Sequence, residues 1–240
     1  MLKCLLLTLV FLCASANSET IELVVAASAG GPDDVLSRKI VERIEQKSDL
    51  HITIVNKPGA AHTIGYSYVQ QRTKPTMIIS TSSIIDHEVY KVITETYNFG
   101  NFQNIVFVNS KSGIRSMNDL MTLSKTRQIN FGYGGVGTHS HRAMVKLCED
   151  KLNCLQVPYK SGANAMLDLL VGSIDVYALV SYGSDGFLKN DKYTAISRIT
   201  NENNWVKLFT KNMSDRDINT IRTILKELNP DFFIELGLIK

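Results

Sequence analysis

The sequence predicts an α/β fold. From residue 21 onward, short β-branched runs alternate with longer stretches of helical apolar spacing, glycine- or proline-bearing turns separate them, and two of those turns are glycine-rich junctions between a strand and a helix. With 240 residues, 44% hydrophobic and 20% charged, the chain has a globular composition with room for one large domain or two small lobes.

The elements follow in order. Ile21 to Ala27 reads as a buried strand, broken by Gly30-Gly31-Pro32; Asp33 or Asp34 is expected to cap a helix whose apolar positions are Val35, Leu36, Ile40, Val41 and Ile44. Ile52 to Val55 is the next strand, Asn56-Lys57-Pro58-Gly59 a turn, and Thr63 to Gln71 a helix of small and aromatic residues. Met77 to Thr81 is a third strand, residues 82–104 are less regular, and Ile105 to Val108 is a short fourth strand. Ser116 with Asp119 forms a capping box ahead of Leu120 and Leu123.

The alternation continues through the strand Ile129 to Phe131, a helix Thr138 to Cys148, the strand Leu155 to Val157 and a helix Asn164 to Val171 closed by Gly172. Ile174 to Val180 is the last clear strand of this part. Ser214 and Asp217 repeat the capping pattern before Ile218, Ile221, Leu225 and Leu228; Pro230 ends that helix, and a short final one runs towards Gly237. No repeat, charge block or low-complexity linker interrupts the chain.

The first residues indicate the compartment. Lys3 supplies a positive n-region, Cys4 to Cys13 a short apolar run, and Ala14-Ser15-Ala16 an A-x-A site, so residues 1–16 read as a secretory signal peptide cleaved before Asn17. The apolar run falls short of the roughly 20 residues that cross a bilayer. The formal net charge of +3, one unit of it on Lys3, offers no basic surface for nucleic acid. Cys148 and Cys154 remain after cleavage, and they are either a short-loop disulfide in an oxidising compartment or two buried thiols.

Two segments invite chemistry. Residues 132–137 spell G-x-G-x-x-G between a strand and a helix, but the following strand runs into Pro158-Tyr159-Lys160 with no acidic residue to take a ribose, which argues against a dinucleotide. Glycines before a helix start still suit an anion, because the first N–H groups of a helix lack partners within it. Asp33 and Asp34 at the other glycine turn would repel an anion unless they cap the helix or accept from a ligand N–H. His139 and His141 are two apart on a helix and point to different faces, so a shared metal is disfavoured; no cofactor or metal is expected, and a secreted enzyme using one of these histidines is a minor alternative.

Four motifs together resemble a known family, the solute-binding proteins of tripartite tricarboxylate transporters, or Bug receptors. They are residues 29–38, with Gly30, Gly31, Asp34 and Arg38; residues 55–65, similar to V-x-N-x-P-G-A-x-x-x-x-G; residues 132–141, similar to Y-G-S-A-G-x-G-S-x-x-H with Thr138 in place of serine; and residues 157–176, with Val157-Pro158-Tyr159-Lys160, Asp168 and Asp175.

The resemblance implies a type II periplasmic-binding fold, two α/β lobes around a ligand cleft: residues 17–105 plus 203–240 as the first lobe, 106–202 as the second. It implies a non-enzymatic periplasmic receptor, monomeric, that takes a small carboxylate (a di- or tricarboxylate or an acidic amino acid) and delivers it to the membrane subunits of a tripartite tricarboxylate transporter. A sensor that signals to a membrane protein is the alternative. Carried over by position, Ala29, Gly30, Gly31, Asp34, Thr81, Ser82, Gly135, Gly137 and Thr138 would bind ligand, and Arg38, Asn56, Gly59, His141, Tyr159 and Lys160 would hold the loops. Valine at Gly137 would then block close approach of the ligand to the backbone. Leu179 and Val180 depart from the polar side chains that relatives often present to the cleft.

Overall fold

The computed structural model describes residues 20–81, 88–150, 152–228 and 230–239; the expected signal peptide and Ser82 lie outside them. In chain order the elements are β1 (Ile21–Val25), α1 (Pro32–Lys47), β2 (Ile52–Asn56), α2 (Thr63–Gln71), β3 (Thr76–Thr81), β4 (Thr94–Asn109), α3 (Met117–Ser124), β5 (Ile129–Tyr133), α4 (His139–Asp150), β6 (Cys154–Pro158), α5 (Gly162–Val171), β7 (Val176–Val180), α6 (Asp185–Leu188), β8 (Tyr193–Lys211), α7 (Asp215–Glu227) and α8 (Pro230–Glu235).

The eight strands form one sheet in the order β2-β1-β3-β8-β4-β7-β5-β6. The outer strands on each side pair in parallel, β1 with β2 and β3, β5 with β6 and β7. Each parallel step is a strand–helix–strand crossover, which requires helices on the sheet faces. Side chains in the strands alternate faces accordingly. Leu23 joins a core with Leu36, Ile40 and Ile44 of α1 and Ile221 and Leu225 of α7, while its neighbour Val24 joins Tyr66 and Val69 of α2 on the other face. In β4, Val106 and Val108 pack with Leu120, Met144 and Leu147, and Ile105 and Phe107 with Met166 and Leu169. Each of these buried side chains contributes about 1.5–3 kcal/mol.

Two long antiparallel strands join the parallel groups, a feature absent from the expected elements. The fourth strand, expected at residues 105–108, begins at Thr94, and a strand runs from Tyr193 to Lys211 where none was expected. They pair with each other from Thr94↔Thr210 to Asn109↔Tyr193, through four register shifts. β3 pairs with residues 206–211 of β8 at one end, and β7 with residues 104–107 of β4 at the other. The sequence concealed both because these strands carry Asn98, Gly100, Asn101 and Asn204, residue types depleted in strands. They are extended because they pair across about a hundred residues of chain, not through local preference.

Caps explain where several helices begin. Ser116 and Ser214 accept from the N–H groups of Asp119 and Asp217 as the capping patterns predict. Gly172 at φ 79° closes α5. Pro230 is the first residue of α8, a place that suits its missing N–H. The two cysteine sulfurs are bonded, Cα to Cα 5.7 Å, which ties the last turn of α4 to the start of β6.

Candidate ligand-binding site

The start of α1 departs from expectation. Its N-cap is Gly31, and neither aspartate caps it forwards. Asp34 turns back and accepts from the Gly30 N–H at 2.9 Å, from Arg38 Nε at 2.8 Å and Nη2 at 3.1 Å, and from Asn56 Nδ2 at 3.0 Å. It is 2% exposed. Burial pushes its pKa up, but the bonds from Arg38, Gly30 and Asn56, with the Arg38 charge, outweigh that and hold the carboxyl below its ordinary range. Asn56 also donates to the Ala27 carbonyl at 3.1 Å. Arg38, Asp34 and Asn56 thus form one brace under the glycine turn.

That brace occupies the donors expected to bind ligand. The Gly30 N–H goes to Asp34 and the Gly31 N–H to the Ser28 carbonyl at 3.2 Å. Ala29, Gly30 and Asp34 do not line a cavity; Gly31, Pro32 and Asp33 do. Asp33 accepts from the buried Tyr182 hydroxyl at 2.7 Å through Oδ1.

The cavity measures about 100 Å³ and opens into a groove of about 820 Å³. Three helix starts meet on it: Gly31, Pro32 and Asp33 of α1; Thr138, His139 and Ser140 of α4; and Ser161, Gly162 and Ala163 of α5. A helix expected only from Asn164 hides the third. Ser161 is its N-cap and accepts from the Asn164 N–H at 3.3 Å; a serine three residues ahead of Asn164, just after Pro158-Tyr159-Lys160, is the available signal. Among the described residues, the N–H groups of His139, Ser140, Gly162 and Ala163 have no protein acceptor.

The turn before α4 is held by its own side chains. Thr138 Oγ1 donates to the Gly135 carbonyl at 2.7 Å, Ser140 Oγ accepts from the Gly134 N–H at 2.9 Å, and His141 Nδ1 accepts from the Gly137 N–H at 3.4 Å. Gly134 lines the cavity and Gly135 the groove, but Gly137 lines neither, and a Cβ there would meet nothing within 4 Å. The expected block by valine at Gly137 would therefore act away from both of these spaces, and the φ of +86° resists a side chain there in any case.

His139 is 5% exposed and bridges two elements. Arg142 Nη2 donates to its Nδ1 at 2.7 Å, so the ring proton sits on Nε2 and donates to Thr81 Oγ1 at 2.9 Å. Burial, then the neighbouring Arg142 guanidinium and His62, holds its pKa well below the usual range. Both ring nitrogens are thus engaged, which leaves neither for a metal or a catalytic proton transfer. Thr81 meets His139 rather than the cavity.

On the opposite lip, Gly59, Ala61 and His62 line the cavity. Ala60, Ala61 and His62 all have positive φ, 44°, 49° and 78°, a conformation that costs non-glycine residues about 1–2 kcal/mol each. Strain of this kind concentrates at ligand clamps. A Cβ on Gly135 would stand 3.5 Å from Ala61 Cβ, so the two turns nearly touch across the opening. Tyr177, its hydroxyl pushed up to about 12 by burial, lines the back with Leu179, Val180 and Tyr182. Tyr159, expected to hold a loop, donates to Asp168 at 2.7 Å. Lys160, expected to hold a loop, instead lines both cavity and groove, with no anionic partner among the described residues.

A family model, Tripartite tricarboxylate transporter family receptor, matches residues 36–206. The chain belongs to that receptor family. A relative from Bordetella pertussis, described as a UPF0065 protein, is 22% identical over 217 residues, covering 82% of this chain and 67% of the relative; another relative, from a Pseudomonas strain, is covered to 52%, so the chain spans about half to two thirds of the curated relatives it matches. The periplasmic binding protein BugD superposes with a TM-score of 0.77 at 18% identity, covering 90% of this receptor and 84% of BugD. An R. palustris protein solved with adipate superposes at 0.78 and 18% identity, covering 88% of this receptor and 83% of that chain. These likenesses establish the periplasmic-binding fold for the receptor. Among its described residues, no helix is long and apolar enough to cross a membrane.

Proposed function

We propose that this chain is a periplasmic, non-enzymatic receptor that closes on a small carboxylate and hands it to the membrane subunits of a tripartite tricarboxylate transporter. The observation that carries the reading is the meeting of three helix starts on one cavity, with open N–H groups at α4 and α5 and Lys160 beside them. Such donors favour an anion, and each charge-assisted hydrogen bond is worth about 1.5–3 kcal/mol. A few of them reach micromolar affinity, about −8 kcal/mol. Family membership and a structural neighbour solved with a dicarboxylate agree with this choice of ligand.

In this reading the closing bodies are residues 17–105 with 203–240 and residues 106–202, and the β4–β8 pair is the connection across which they move. His139 to Thr81 and Gly135 to Ala61 are then contacts across the opening. Residues 1–16 direct the chain to the periplasm. Calorimetry and thermal shift with C4 to C6 dicarboxylates, citrate and acidic amino acids test the proposal. Saturable binding of at least one, with a rise in melting temperature, is the expected result; no response to any carboxylate contradicts it.

A further inference from the structure

We propose that Asp33 is the specificity-determining residue of this cavity and that it selects a zwitterionic amino acid, seating the ligand's ammonium while the starts of α4 and α5 take its carboxylate. The inference rests on the carboxylate-receptor reading and narrows it.

Asp33 and Asp34 are neighbours with opposite surroundings. Asp34 is buried under donors from Arg38, Gly30 and Asn56 and stays off the cavity. Asp33 lines the cavity, and its partner is a neutral phenol, Tyr182, on Oδ1. Among the described residues no cation stands within ion-pair distance of Asp33, and its Oδ2 receives no protein donor. Tyr182 is 1% exposed and sits edge-on against Phe102 at 5.1 Å, so the carboxylate is held by a fixed group.

A carboxylate without a described counter-ion on the wall of a cavity of about 100 Å³ opposes a plain diacid by like-charge repulsion. An ammonium converts the same charge into an ion pair with a hydrogen bond. The same lining includes the starts of α4 and α5, where the N–H groups of His139, Ser140, Gly162 and Ala163, with Lys160, supply donors. A carboxylate and a set of donors in one cavity match a zwitterion, and discrimination built on a paired charge exceeds what shape alone provides.

Calorimetry on the purified chain with matched ligands tests this: succinate, malate and aspartate, then glutarate with glutamate and propionate with alanine. The expected result is that the amino acid of at least one set binds tenfold or more tighter than its partner lacking nitrogen. Asp33→Asn, which keeps an acceptor for Tyr182, should lose that preference and bind the nitrogen-free acid more tightly than the parent does, with thermal unfolding verifying its fold. A preference below tenfold for the amino acid in every set that binds, with malate counted among the partners of aspartate, overturns the proposal. So does an unaltered preference in a folded Asp33→Asn protein. Binding of only other carboxylates, such as citrate, overturns it while leaving the receptor reading intact; binding of no carboxylate overturns both.

Discussion

The glycine turn ahead of α1 and the starts of α4 and α5 line one cavity yet differ in the charge they bring to it. At α1 the glycine N–H groups are consumed, Gly30 on Asp34 and Gly31 on Ser28, and the first turn of the helix adds a carboxylate, Asp33, to the lining. At α4 and α5 the hydroxyls of Ser140 and Ser161 satisfy N–H groups of the turn or of the helix interior, and four other N–H groups stay open. A glycine-rich turn before a helix is therefore not by itself an anion cradle. Its role depends on which nearby side chains consume its donors.

Substitutions can break that contrast, the strongest first. Valine at Gly162 adds a Cβ 2.9 Å from the buried Tyr177 hydroxyl, at the mouth of the α5 start. Overpacking there should lower carboxylate affinity about a hundredfold, measured by calorimetry. Asp34→Ala removes the acceptor shared by Arg38, Gly30 and Asn56, and should cost about 2 kcal/mol in urea unfolding. Because the Asp34 carboxyl is held below its ordinary value, its contribution is complete above the unfolded pKa of about 3.9 and is lost as pH falls through the folded value. The variant should accordingly show a shallower loss of stability in acid.

His139 gives stability a second pH dependence, at milder pH. Burial first, then Arg142 and His62, keeps the folded imidazole neutral, so the unfolded chain takes up a proton near pH 6.5 that the folded one refuses. Stability from this group is complete above about pH 6.5 and falls below it, by at most about 1.4 kcal/mol per pH unit. His139→Gln should flatten unfolding free energy between pH 6.5 and 5; an unchanged slope would show that His139 is not the titrating group. Lys160→Gln should weaken carboxylate binding about five- to tenfold and reduce its salt dependence, because an exposed cation at the rim mainly steers. Gly137→Ala should have the smallest effect, about 1 kcal/mol in stability from its positive φ, with affinity kept.

Much of the fold was legible because it rests on local signals. The parallel strands are β-branched runs, and the capping serines at Ser116 and Ser214 lie where the helices begin. β8 and the first part of β4 were not legible, since Asn98, Gly100 and Asn101 become strand only by pairing with residues 205–207. In the site, the α4 turn and the Pro58–Gly59 turn are evident from their glycines and motifs. The motif singles out Asp34 from Asp33, but not that Asn56 and Arg38 hold Asp34 off the cavity while Tyr182 holds Asp33 on it. Lys160 reads as a loop support because no spacing rule reveals that it lines the cavity with no anionic partner among the described residues.

Amide NMR during titration with a binding carboxylate reads out whether the starts of α4 and α5 jointly hold it. The ¹⁵N–¹H resonances of His139, Ser140, Gly162 and Ala163 should move together along one saturable curve, while Gly30 and Gly137, whose N–H groups are already engaged, should move far less. Saturable binding with the largest shifts at Gly30 and Gly137, or away from this cavity altogether, would contradict that joint hold.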